Sequence, residues 1–131
     1  MRAIVFVITI IGMGLSAVAV MADVLQRAGD EYLTRALRTH GEAKQALLNR
    51  ARMIYQKAGQ IQPWQPAHAF KLGLVYEHIA ATLSPPSDQA HAMWLATAEA
   101  YRRAVYLHPA NARLQASLAW VCQFLPGMRT P

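Results

Sequence analysis

The sequence predicts an all-α protein: an N-terminal transmembrane helix followed by stacked helical hairpins, with about five helices in total. Three observations lead there. Residues 3–22 form an uncharged apolar run. The remainder is rich in alanine, leucine and other helix formers, and β-branched residues become sparse in it. Apolar residues there recur at helical spacing between short turns marked by proline and glycine.

The apolar run reads AIVFVITIIGMGLSAVAVMA, with Arg2 before it and Asp23 after it. Twenty helical residues extend about 30 Å, the thickness of a bilayer's hydrocarbon core. The apolar part of a cleaved signal peptide is typically about 7–15 residues, so the length favours an uncleaved anchor. Val20-Met21-Ala22 is nevertheless an acceptable cleavage site, and both readings stand. Lys and Arg near the ends do not settle orientation, because Arg27, Arg35 and Arg38 follow the run while only Arg2 precedes it. The signal-like layout favours an inner-membrane, single-pass protein with its helical domain outside the cytoplasm, which in a bacterium is the periplasm.

Residues 1–22 are thus the anchor or signal, 23–125 the helical domain and 126–131 a loose tail. The first helix is expected over 23–39, with Val24, Ala28, Tyr32, Leu33, Ala36 and Leu37 inward and Gly41 ending it. Nothing between Ala22 and Val24 breaks a helix, so the anchor can run straight into it. The second is expected over 42–58, with Ala43, Ala46, Leu47, Ala51, Ile54, Tyr55 and Ala58 inward and Gly59 as its stop. Pro63 and Pro66 mark a connector, and Pro66 suits the first position of the next helix. That third helix is expected over 67–83, with Ala69, Phe70, Leu72, Gly73, Tyr76 and Ala80 inward. Ser84-Pro85-Pro86-Ser87-Asp88 forms a rigid turn in which Ser87 or Asp88 caps a fourth helix over 89–107. Met93, Trp94, Thr97, Ala98, Tyr101, Ala104 and Val105 face inward there. After the turn His108-Pro109-Ala110-Asn111, a fifth helix covers 112–125 and stops at Pro126-Gly127.

The formal net charge is +6, without a long basic run or the aromatic interleaving of nucleic-acid binders, so no nucleic-acid partner is expected. The scattered Lys and Arg, densest at Arg50/Arg52 and Arg102/Arg103, read as a solvated face or as attraction to anionic lipid. Cys122 is the only cysteine, which excludes an intramolecular disulfide or a C-x-x-C centre, and it reads as a small buried hydrophobe. His40, His68, His78, His91 and His108 lack metal-ligand spacing and read as surface residues. No carboxylate pair, nucleophile set or phosphate-binding loop stands out. The expectation is a non-enzyme with no cofactor and no metal.

Leu72-Gly73-Leu74-Val75-Tyr76 gives L-G-x₂-Y on the third helix. Thr97, Tyr101, Ala104 and Pro109 follow in order, and Ala51, Tyr55, Ala58 and Pro63 repeat that second half upstream. Leu118, Ala119 and Cys122 mimic the first half again downstream. This pattern resembles the tetratricopeptide repeat (TPR), a 34-residue helix–turn–helix with W-x₂-L-G-x₂-Y…A-x₃-F…P. The match has departures. Ala69 stands at the tryptophan position, Thr97 replaces the usual alanine, and Tyr76 and Thr97 are further apart than in the standard unit. The hairpin over 23–58 lacks the L-G-x₂-Y half.

The resemblance implies a scaffold that holds a peptide or partner helix in a groove lined by the first helix of each repeat. Carried over by position, that groove includes Ala67, Phe70, Leu74, Glu77 and His78, with Arg113, Ala116 and Trp120 from the fifth helix. For each, packing or plain surface is the competing reading. Anchored proteins of this build are similar to small accessory proteins of bacterial exopolysaccharide and envelope machinery, which implies an envelope assembly such as polysaccharide biosynthesis or export. The alternative is a structural accessory subunit of a larger integral-membrane complex. Gly12 and Gly14 in the apolar run favour it weakly, since small residues permit close helix contacts.

Overall fold

The computed structural model describes residues 1–84 and 87–125, and the architecture is all-α. The expected tail at 126–131 and the Pro85-Pro86 part of the third turn lie outside the described residues. Five helices run in chain order: α1 Arg2–Leu37, α2 Gly41–Ile61, α3 Pro66–Thr82, α4 Asp88–Leu107 and α5 Ala112–Cys122. Each packs mainly on its neighbours in sequence, as in a solenoid of helical hairpins.

α1 is one continuous helix of 36 residues, so the apolar run and the first helix of the domain are a single rod. It is the one described helix long and apolar enough to cross a membrane, and its apolar window is entirely exposed. The two hydroxyls inside the run bond to their own helix. Thr9 Oγ1 donates to the Val5 carbonyl (2.8 Å) and Ser16 Oγ to the Gly12 carbonyl (2.9 Å). This is the satisfaction that polar groups need where water is absent.

The helix ends follow local chemistry. Pro66 opens α3 at its first position, where a missing N–H costs nothing. Ser87 Oγ accepts from the Ala90 N–H (3.0 Å), and Asn111 Oδ1 accepts from the Arg113 and Leu114 N–H groups (3.0 and 3.3 Å). Three boundaries differ from the sequence expectation. α1 ends at Leu37, and Gly41, with φ +67, turns the chain into α2 rather than closing α1. Gly59 lies inside α2, which continues to Ile61 and stops because Gln62, preceding Pro63, leaves the helical region. α5 ends at Cys122, three residues early, and Leu125 folds back into the core.

Two interlocks set the packing. A Cβ on Gly29 would lie 2.7 Å from the Tyr55 ring, so the absent side chain lets α1 and α2 close around that ring. Gly73 on α3 accommodates Tyr101 of α4 in the same way. Each tyrosine ends on a carboxylate of the glycine-bearing helix. Tyr55 Oη donates to Asp30 Oδ1 (2.5 Å) and Tyr101 Oη to Glu77 Oε2 (2.6 Å). Gly29-x₂-Tyr32 of the first hairpin thus stands where the second has Gly73-x₂-Tyr76, with Ala28 in place of Leu72. Lys71 of α3 bridges back to Asp30 of α1 (3.0 Å), and Gln56 of α2 donates to Tyr76 Oη (2.9 Å).

The core has two parts. One joins α1, α2 and α3 through Leu33, Ala36, Leu48, Ala51, Tyr55, Val75 and Ile79. The other joins α4 and the C-terminal segment through Ala98, Tyr101, Val121 and Leu125, with Phe70, Leu74, Trp94 and Leu118 packed against it. Val24, Leu37, Ala43 and Ala46, expected inward, are exposed, while Leu48, Val75 and Ile79 are buried in their place. Cys122 is buried, as expected.

Candidate partner-binding groove

α3 and α5 flank an open groove of ≈ 450 Å³ floored by Tyr101 of α4. Phe70, Leu74 and Glu77 stand at i, i+4 and i+7 on α3, which puts them on one face. Arg113, Ala116 and Trp120 do the same from α5 at i, i+3 and i+7, joined by Ser117. Six of the eight expected groove residues thus share one surface: Phe70, Leu74, Glu77, Arg113, Ala116 and Trp120.

His78 does not join them. One residue beyond Glu77 is a turn of about 100° around the helix. His78 is half-buried toward α2, where burial holds its pKa low against the opposing pull of Glu77, with a smaller push in the same direction from the Lys44 ammonium. Ala67, expected on the same face, is also absent from the groove lining.

The groove floor is rigid. Tyr101 is buried, stacked on Phe70 (centroids 5.6 Å apart) and tied to Glu77. Burial raises its pKa, and the hydrogen bond and charge of Glu77 raise it further, so the phenol stays protonated and keeps donating. Arg113 lies over the Phe70 ring, 5.3 Å from its centroid, a cation–π contact that bridges α5 to α3. Its guanidinium is in none of the ion pairs among the described residues. Trp120 is 43% exposed and closes the far end, packed on Phe124 (4.9 Å) and Trp94 (6.0 Å). Such a surface offers apolar anchors, a fixed floor and one unpaired cation.

A second cavity of ≈ 500 Å³ lies among α2, α3 and α4, lined by Tyr55, Gln56, Leu72, Arg103 and His68 among others. His68, expected at the surface, is 2% exposed. Its Nε2 donates to Gln62 Oε1 (3.0 Å), while Nδ1 is buried without a partner. The α2–α3 turn brings Gln62 back onto the ring, and that contact has no trace in the spacing of histidines. Burial lowers the pKa of His68. Among the described residues no group of three or more His, Cys, Asp or Glu is placed to hold a metal ion.

No known protein family, curated protein or solved structure matches the chain.

Proposed function

We propose that this protein is a membrane-tethered, TPR-like scaffold that holds a partner peptide or helix in the α3–α5 groove. The observation that carries the reading is the convergence of Phe70, Leu74 and Trp120 with the unpaired Arg113 guanidinium on one open surface. Aromatic residues and arginine are the side chains that most often dominate interfaces. The partner fitting this surface is an amphipathic helix whose apolar face carries a carboxylate for Arg113. The two glycine–tyrosine interlocks and the packing of each helix on its sequence neighbours support the repeat character. The uncharged stretch of α1 supports the tether. An envelope assembly, such as polysaccharide biosynthesis or export, is the proposed setting, and it comes from the sequence resemblance alone.

Affinity capture of the full-length protein from detergent-solubilised membranes tests this, with Trp120→Ala and Arg113→Glu run beside the wild type. A specific envelope protein recovered by the wild type and lost from both variants is the expected result. Recovery unchanged by either variant, or recovery of no envelope protein, refutes the reading.

A second reading, an accessory subunit of a larger integral-membrane complex, draws on Gly12 and Gly14. A Cβ at either would have nothing within 4 Å, which leaves room for another transmembrane helix. Migration of gently solubilised protein as a free monomer would refute that reading.

A further inference from the structure

The continuity of α1 decides which end of the domain faces the bilayer. The helices are joined by short turns and alternate in direction. Gly29 meeting Tyr55 sets the α1–α2 register, and that register puts buried Ala22 level with the end of α2 near Gln62. Gly73 meeting Tyr101 likewise puts the start of α3 level with the end of α4. The Arg103 guanidinium reaches the Pro63 carbonyl (3.4 Å), which ties the C-terminal part of α4 to the α2–α3 turn. The α2–α3 turn and the end of α4 therefore sit where the uncharged stretch of α1 stops.

This end has the chemistry of a membrane interface. Trp64 in the α2–α3 turn is 56% exposed and Tyr106 in the last turn of α4 is 83% exposed. Neither takes part in the aromatic contacts of the core. Trp and Tyr concentrate at headgroup level, where a ring is half in hydrocarbon and its polar edge is wet. Of the acids toward this end, Asp23 is paired with Arg27 (2.9 Å), Asp30 with Lys71 (3.0 Å) and Glu99 with Arg102 (3.0 Å). Lys57 and Arg103 are exposed and enter no ion pair among the described residues. At the opposite end Glu42 and Asp88 offset Arg38 and Lys44.

We propose that this end of the helical stack rests on the bilayer that α1 crosses, with Trp64 and Tyr106 among the headgroups and Lys57 and Arg103 against anionic lipid phosphates. The occupant is a lipid surface because the tether holds these residues at its edge. A free partner would have to displace the membrane to reach them. The contact holds the stack upright and leaves the α3–α5 groove open to the side. This rests on the reading that α1 spans a membrane, and not on what fills the groove.

The test uses full-length protein reconstituted in vesicles of phosphatidylcholine, or of an equal mixture with phosphatidylglycerol, each containing a headgroup-spin-labelled lipid that quenches tryptophan. Flotation is measured first. The expected result is co-flotation with both vesicles and quenching that is stronger with phosphatidylglycerol. Trp64→Phe should remove most of the quenching, and Trp120→Phe should leave it. Lys57→Gln with Arg103→Gln should weaken the equilibrium for docking on the anionic surface by about five-fold per charge removed, and so lower the phosphatidylglycerol increment. Circular dichroism identifies any variant that loses helix, and Trp64→Phe, at an exposed turn, is the variant least exposed to that outcome. Co-flotation without quenching that depends on Trp64 overturns the docking while leaving the span intact. Failure to float with either vesicle overturns the span and the docking with it.

Discussion

Replacing Gly73 by alanine is the most informative single change to the fold. In an open helix that substitution stabilises by about 1 kcal/mol, because alanine restricts the unfolded chain and suits the helix. Here the added Cβ would run into the Tyr101 ring closer than real contacts allow. The ring has little room to retreat, since it is buried, stacked on Phe70 and held by Glu77. Overpacking of this kind costs roughly 1–3 kcal/mol. A ring displaced far enough to break the bond to Glu77 loses roughly a further 1.5–3 kcal/mol, the usual contribution of a hydrogen bond to a charged group. Against the propensity gain, the net is a destabilisation of about 0–2 kcal/mol with the bond to Glu77 kept and of about 1.5–5 kcal/mol when it breaks. Gly59→Ala is the internal control. Its Cβ would meet only His68 Cβ at 3.9 Å, ordinary contact, so it should stabilise by a few tenths to about 1 kcal/mol. Thermal unfolding of the full chain in mild detergent, followed by far-ultraviolet circular dichroism, reads both. About 4–8 °C per kcal/mol is expected for a domain of this size. The two changes should move Tm in opposite directions. A Gly73→Ala protein as stable as Gly59→Ala would refute the interlock.

Other consequences follow from the same geometry. Tyr55→Phe and Tyr101→Phe each keep the ring and remove the hydroxyl given to Asp30 or Glu77, so each should lower stability by about 1.5–3 kcal/mol in the same assay. Asn111→Ala leaves two N–H groups of α5 without their acceptor and should cost about 1 kcal/mol, seen as earlier loss of helix on heating. His68 is depressed below the ordinary 6.5 of histidine, so the unfolded chain binds its proton more readily than the folded one. Stability tied to His68 is therefore fully present above about pH 6.5 and falls as the pH drops from there toward the folded value. Unfolding curves across that range should show the loss in the wild type and a reduced slope in His68→Gln.

Much of the fold is legible in the sequence because its boundaries rest on residues with one strong local preference. Pro66, Ser87 and Asn111 start helices where expected, and the two residues before Pro63 end α2. Gly59 misleads because glycine permits a helix stop without compelling one, and the close packing around Ala58 and Tyr55 carries α2 past it. The first interlock is hidden because Ala28 stands where the second has Leu72, which leaves Gly29 without its usual neighbour. The groove is readable because one helical face repeats at i, i+4 and i+7, and the same rule drops His78, a single residue off that face. Tyr101 and Ser117 complete the groove by tertiary packing, and spacing along α3 and α5 carries no sign of that. The burial of His68 depends on Gln62 folding back across a turn, again a tertiary event.

Site-specific photo-crosslinking in intact membranes tests whether a tethered scaffold holds its partner in the α3–α5 groove. A photoreactive residue replaces Ala116, exposed in the groove, or Met53, exposed on α2 as a control. One discrete adduct is expected in the membrane fraction from position 116, absent from position 53 and lost when Trp120→Ala is added. The same adducts from both positions, or none from position 116 in a protein that remains membrane-bound, would contradict that placement of the partner.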